Sequence, residues 1–234
     1  MTYNARGLRA GVRAVARAVE AAEPDVLLLQ ESGGRLALRR LARSIGMELA
    51  ADPFSFPRRR VKNAVLCRSP WRLGGREFRR FSSSARFYPR GVVIAEARTG
   101  SLALCFASVH LGLRPAERLR HVRELDELLR SHLRAPSQPV VIGVDFNELP
   151  TGRAIASLGQ RFADAWASAE SAEGSGATFP APDPAARIDY VFVSGEADIR
   201  AARVPEDDRT ASASDHLPVL VDLEIGGAGS DLAR

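Results

Sequence analysis

Val12, Val15, Ala16 and Val19 recur at helical spacing within residues 8–22, LRAGVRAVARAVEAA, and Pro24 closes that segment. DVLLLQ follows as an unbroken apolar run, the pattern of a strand covered on both faces. Leu36, Leu38, Leu41 and Ile45 predict a second amphipathic helix over 35–45, stopped at Gly46. KNAVLCR, GVVIAEAR and SLALCFASVHL are short strand-like runs separated by Gly, Ser and Pro. The clearest helix is 115–133. Pro115 suits its first turn, and Leu119, Val122, Leu125, Leu128 and Leu129 form its stripe. PVVIGVDF predicts a buried strand and 152–158 a small helix. RIDYVFVS, DIRAARV and LPVLVDLEI predict the last strands. Residues 51–60 and 171–186 read as loops.

Strands in local runs, interleaved with helices, predict a layered α/β (α+β) domain with two sheets inside and helices outside. One domain over 1–225 accounts for the whole pattern, and 226–234, GGAGSDLAR, reads as a flexible tail. No repeat and no long linker interrupts it.

Composition narrows the picture only a little. The 234 residues are 45% hydrophobic, enough for a sizeable core, and carry a net charge of +5 with a pI near 10. The positive charge is nearly all arginine, since Lys62 is the one lysine. A modest positive field suits an anionic substrate without requiring nucleic acid. Cys67 and Cys105 sit inside apolar strand-like runs, where inert buried thiols are expected. No apolar run reaches the roughly 18–20 residues of a membrane span, and no obligate protein partner is evident. The chain as it stands is expected in the cytoplasm. Its opening, MTYNARG, reads as the tail of a strand, so an upstream piece with a targeting segment has a place before it.

Polar residues at the strand ends change the picture most. They are Asn4, Gln30 with Glu31, Asn63, His110, Asp145 with Asn147, Asp189, and Asp215 with His216. Acids and amides are the hard oxygen ligands that Mg²⁺ takes, and histidines move protons. No Cys/His cluster has zinc spacing, no glycine-rich phosphate loop occurs, and no G-x-S-x-G elbow is present.

Seven stretches in this order, TYNARG, LLLQES, VKNAVLCR, ASVHL, VIGVDFNELP, ARIDYVFVS and SASDHLPV, span residues 2–219. Together they resemble the endonuclease/exonuclease/phosphatase family of metal-dependent phosphoesterases, which includes deoxyribonuclease I-like enzymes. The resemblance implies a four-layer α/β/β/α sandwich with the site at one edge of the paired sheets. It implies Glu31 as the main Mg²⁺ ligand, with Mn²⁺ as a substitute, and Asn4 and Asp215 binding or orienting that metal. Asp145 and Asn147 would handle the attacking water and the phosphate oxygens. Asp189 would orient His216, and His216 and His110 would flank the scissile phosphate. Asn63 stands where the family holds the His110 ring or touches phosphate. Arg90, in FYPRGVVIAE, stands where members place a phosphate-contacting arginine. Asp215 and His216, though adjacent, would therefore do different work. His121 and His132 receive no role.

The chain departs from the family at Val144, where a glycine usually precedes the Asp of DFN; here the glycine is Gly143. Two loops would choose the substrate. ADPFSFPRRR and SSSARFYPR set aromatics beside arginines, which suits stacking on bases with phosphate contact. A nuclease on DNA or RNA is the leading expectation. A phosphatase or a sphingomyelinase/phospholipase-type hydrolase of a small or lipid phosphodiester is the alternative, and a catalytically silent binding protein on the same fold the third.

Overall fold

Three separate apolar cores divide the molecule into four layers. The structure, a computed structural model, describes residues 1–54, 60–82, 88–132, 138–194 and 197–226. Chain order runs β1 (Thr2–Asn4), α1 (Val12–Ala22), β2 (Val26–Gln30), α2 (Arg35–Ser44), β3 (Met47–Ala51), β4 (Ala64–Arg68), β5 (Arg72–Arg80) and β6 (Gly91–Thr99). It continues with β7 (Leu102–His110), α3 (Pro115–His132), β8 (Val140–Asp145), α4 (Arg153–Gly159), β9 (Ala163–Asp164), α5 (Ala165–Ser168) and β10 (Ser171–Glu173). It ends with β11 (Asp189–Ser194), β12 (Ala197–Arg203), α6 (Asp208–Ala211) and β13 (Leu220–Ile225).

One sheet has the order β5-β6-β7-β8-β11-β9. The other is β1-β2-β4-β3, and the strip β10-β12-β13 joins its edge where Thr2 pairs with Val219. Leu28, Val65, Val93, Phe106, Val141 and Val191 fill the space between the sheets. Strand residues of the opposite parity pack outward, under α3 and α4 on one side and α1 and α2 on the other. This alternation is the period-2 rule applied to strands covered on both faces. The result is the α/β/β/α sandwich that the resemblance implies.

Gly143 shows how closely the sheets approach. A Cβ there would lie 2.7 Å from both Leu28 Cβ and Thr2 Oγ1. Val144 points the other way, into the helix-side core. The inter-sheet face of β8 thus has room for no side chain at Gly143, while the helix side accommodates Val144.

Several boundaries differ from the expectation. The helix expected from residue 8 begins at Val12, because Arg6, Gly7 and Leu8 all take positive φ in a tight turn. β3 and β5 carry no apolar alternation strong enough to announce them. RLGGREFRR is a mostly exposed edge strand with a register shift near its two glycines, and charged edges guard against sheet-to-sheet pairing. Within 171–186, expected as loop, Ser171–Glu173 pairs with β12. Leu133, most of the 226–234 tail, and 55–59 and 83–87 of the two substrate loops lie outside the described residues. Cys67 and Cys105 are buried in different cores, and burial pushes their thiols up to about 11 and about 12. Among the described residues, no helix is long and apolar enough to cross a membrane.

Candidate active site

Register alone gathers the polar strand ends. Asn4 lies beside Gln30, His110 beside Asp145, and Asp189 opposite Asp145. Behind them a buried polar tie crosses between the sheets. Gln30 Nε2 donates to Thr2 Oγ1 (3.0 Å) and to Gly143 O (3.1 Å), and Ser108 Oγ donates to Leu29 O (2.8 Å). Satisfied buried networks of this kind fix one arrangement of the elements they join.

Asp145 is the hub. Its Oδ2 accepts from Asn4 Nδ2 (2.8 Å) and lies 3.1 Å from His110 Nε2, while Oδ1 accepts from Asn147 N (3.0 Å). Burial alone would raise its pKa. The His110 and His216 rings and the Asn4 amide outweigh that and hold the carboxyl well below the usual range. Asn147 sits in left-handed backbone (φ 53°), with Nδ2 3.3 Å from both His110 Nε2 and Leu111 O.

The second hub is Asp189. Its Oδ2 accepts from Thr178 Oγ1 (2.6 Å) and stands 2.8 Å from His216 Nδ1. Burial favours a neutral imidazole, yet Asp189, then Asp145 and Asp215, raise His216 to about 9. Burial and the Asp145 charge push Asp189 upward against the pull of His216. The Asp189 carboxyl thus draws the His216 ring toward its protonated form. Asp215 is separate from this pair, since its Oδ2 meets Arg6 Nε at 3.0 Å. Adjacent residues 215 and 216 thus face different partners.

Beside these hubs opens a pocket of about 240 Å³, lined by Arg6, Arg9, Lys62, Arg90, Tyr88 and Glu31 among others. Four cationic side chains around one acid make it a place for an anion. Glu31 itself has φ 46°, pinned by Gly7 N donating to its carbonyl (2.8 Å). Gly33 backs this turn, where a Cβ would lie 2.6 Å from Gly7 O. Arg90 Nη1 touches both ring nitrogens of His110, at 2.7 Å from Nδ1. Lys62 Nζ sits 5.1 Å from the Tyr88 ring centroid. Asn63 borders the pocket, but its amide nitrogen donates to Gly91 O and Ser108 O (both 2.9 Å), so both N–H groups serve the backbone.

Sequence reasoning missed Thr178, Phe179, Ser214 and Arg6. Phe179 packs its ring 4.9 Å from His216, and Ser214 Oγ donates to Asn4 O (2.7 Å). Ser214 adjoins a residue already singled out, and Arg6 lies two positions after Asn4. Thr178 and Phe179 come from a stretch with no periodicity to mark them.

The donor set suits a hard divalent cation. Asp145, Asp189 and His216 offer three ligand atoms within 4.8 Å of one another, although their hydrogen bonds to each other's surroundings already occupy most of these atoms. Asp189 Oδ1 is buried without a hydrogen-bond partner. Glu31 instead lines the open pocket.

The Endonuclease/Exonuclease/phosphatase family model matches residues 1–216. The chain belongs to the endonuclease/exonuclease/phosphatase family. Several solved structures share its fold. A mannosyl-6-phosphatase from Bacteroides thetaiotaomicron superposes with a TM-score of 0.82 at 18% identity, over 96% of this chain and 98% of that one. Truncated Caenorhabditis elegans TDP2 gives 0.73 at 20% identity, over 93% and 94%. The human Nocturnin catalytic domain with bound sulfate gives 0.69 at 19%, over 92% and 86%. No curated protein matches the chain in sequence.

Proposed function

We propose that this endonuclease/exonuclease/phosphatase-family chain hydrolyses phosphoester bonds with the help of Mg²⁺, or Mn²⁺ in its place. Two buried acid–histidine pairs, Asp145–His110 and Asp189–His216, stand side by side next to a cationic pocket, and this observation carries the reading. Glu31 would be the principal ligand, with Asn4 and Asp215 alongside. The bound ion would neutralise charge developing on the phosphoryl oxygens.

The chain's own groups supply the rest. Asp145, ionised at neutral pH, orients the attacking water by accepting its hydrogen, and Asn147 holds a phosphoryl oxygen. His216 keeps its Nδ1 proton toward Asp189 and offers Nε2–H to the phosphate. His110 and Arg90 face the phosphate from the pocket side. As the water oxygen bonds to phosphorus it gives its proton to the Asp145 carboxylate, the bond to the leaving oxygen breaks in line, and the leaving oxygen takes up a proton from solvent. Positioned acid–base groups of this kind contribute about 10²–10⁴ each in rate.

We take a phosphodiester as the substrate, with a DNA or RNA strand foremost. The cationic pocket and the exposed Tyr88 ring support that choice. The two loops that suggested it from sequence lie largely outside the described residues. The fold itself does not choose, since one similar structure bears the name of a phosphatase. A small phosphate ester remains the second reading, favoured by the pocket's modest volume.

Glu31→Gln and His216→Ala test the assignment. Each should lower turnover by orders of magnitude; Glu31→Gln should leave the melting temperature within a few degrees, whereas His216→Ala should also lower it, because Asp189 stays buried without its partner. Wild-type turnover in either variant would contradict it.

A further inference from the structure

Arg118 occupies an unusual place for an arginine on an outer helix. It lies in the first turn of α3 and is only 7% exposed. Burying a guanidinium is costly unless it is paired and hydrogen-bonded. Here its Nη1 donates to Leu113 O (2.6 Å), and Nη2 meets Glu148 Oε1 (3.1 Å). Those partners belong to two different loops. Leu113 lies three residues after His110 at the end of β7, and Glu148 directly follows Asn147 beyond the end of β8.

Glu148 is held at all three of its oxygens. Its Oε2 accepts from Ala154 N (3.0 Å), and its carbonyl lies 2.9 Å from Tyr190 Oη. Its side chain folds over Gly152, where a Cβ would lie 2.1 Å from Glu148 Cγ. Only glycine leaves that path open. The same two loops meet again nearer the site, where Leu111 N donates to Asp145 O (3.0 Å) and Asn147 Nδ2 reaches Leu111 O. Asn147 itself takes left-handed backbone (φ 53°), which asparagine tolerates, so the loop contacts and not its own φ decide where its side chain sits.

We propose that Arg118 and Glu148 are positioning residues, a buried brace that locks the His110 loop to the Asn147 loop and so sets the spacing of the groups that face the phosphate. The proposal rests on the hydrolase reading for its catalytic consequence, but the brace itself is testable without a substrate. Neither residue touches the reacting atoms. Both act through Asn147 and His110.

Arg118→Lys and Glu148→Gln are the variants, chosen because they keep part of the hydrogen bonding and are expected to fold. Amide hydrogen exchange comes first. In both variants the Leu111, Phe146 and Asn147 amides should lose protection together, by about tenfold or more, while Ile142 and Val144 in β8 keep theirs. Loosening of one loop alone, or of neither, overturns the brace. Kinetics on a cleavable phosphodiester come second. Glu148→Gln should lower kcat by about 10–100-fold, as loss of supporting contacts commonly does, with KM changed little. Combined with Asn147→Ala, it should cost clearly less than it does alone, because part of the brace works through that residue and part through His110. Equal losses in the two backgrounds would mark a merely structural pair and overturn the positioning role. If the wild type turns over no phosphoester with or without metal, the hydrolase reading fails, and the exchange data still decide whether the brace exists.

Discussion

Asp189→Asn is the perturbation that most sharply probes the electrostatics of the site. The change is nearly isosteric and removes the charge 2.8 Å from His216 Nδ1. His216 stands at about 9 against an ordinary 6.5. That difference of about 2.5 units corresponds to roughly 3 kcal/mol favouring the imidazolium. At pH 7.5 a pKa of about 9 leaves the ring about 97% protonated, whereas about 6.5 leaves it about 9% protonated. Without Asp189, burial works against the charged ring with less opposition, so His216 should titrate near or below 6.5. Nitrogen-detected NMR of the imidazole, in chelator, reads this directly and needs no substrate. The alkaline limb of the pH–rate profile should move down by a similar amount, with kcat at pH 7.5 falling at least tenfold. A wild-type His216 that titrates near 6.5, or one that moves by less than about half a unit in Asp189→Asn, would refute the reasoning.

The same linkage acts on stability. A raised histidine pKa gives stabilisation that is fully present below about 6.5 and lost as pH climbs through about 9. The stability advantage of wild type over His216→Gln in urea should therefore shrink across that window, by at most about 3 kcal/mol and less because Asp189 is itself pushed up. An advantage that grows with pH would reverse the sign. Gly143→Ala should cost about 1–3 kcal/mol, since its Cβ meets Leu28 and Thr2 between two sheets, and an unchanged melting temperature would deny that close approach. Cys67 and Cys105 should resist a thiol reagent at pH 8 in the folded protein and react on unfolding; rapid labelling of either would contradict their burial.

The four-layer arrangement was legible because apolar runs covered on both faces are hard to confuse with surface elements. β2, β7 and β8 announce themselves this way. β5 did not, because an exposed edge strand has no need of apolar residues, and its arginines protect that edge instead. Asn4 and Asp145 end strands, Asp189 begins one, Glu31 directly follows β2 and His216 precedes β13, so position along the chain was enough to draw attention to them. The resemblance also paired Asp189 with His216, but not the path by which the chain brings them together. The Asp189–His216 contact spans 27 residues and arises from the hairpin at 176–186 folding onto 215–217, where Ala181 N donates to Asp215 O and Leu217 N to Thr178 O. Thr178 and Arg118 have no local signature at all. A threonine in an aperiodic stretch and an arginine on a polar-faced helix look ordinary until the fold buries them. Asn63 shows the opposite limit, since position drew attention to it while the fold spends its amide on two carbonyls.

The most direct measurement is a hydrolysis panel with the purified chain: plasmid, single-stranded DNA and RNA oligonucleotides, a bis(p-nitrophenyl) phosphodiester and a sugar monophosphate, each with Mg²⁺ or Mn²⁺ and with chelator. The account expects metal-dependent turnover of a phosphodiester, abolished by chelator and restored by added metal, and fastest on a nucleic acid. Turnover confined to the monophosphate would move the substrate to the second reading. No turnover on any substrate, with chelator making no difference, would contradict the central claim.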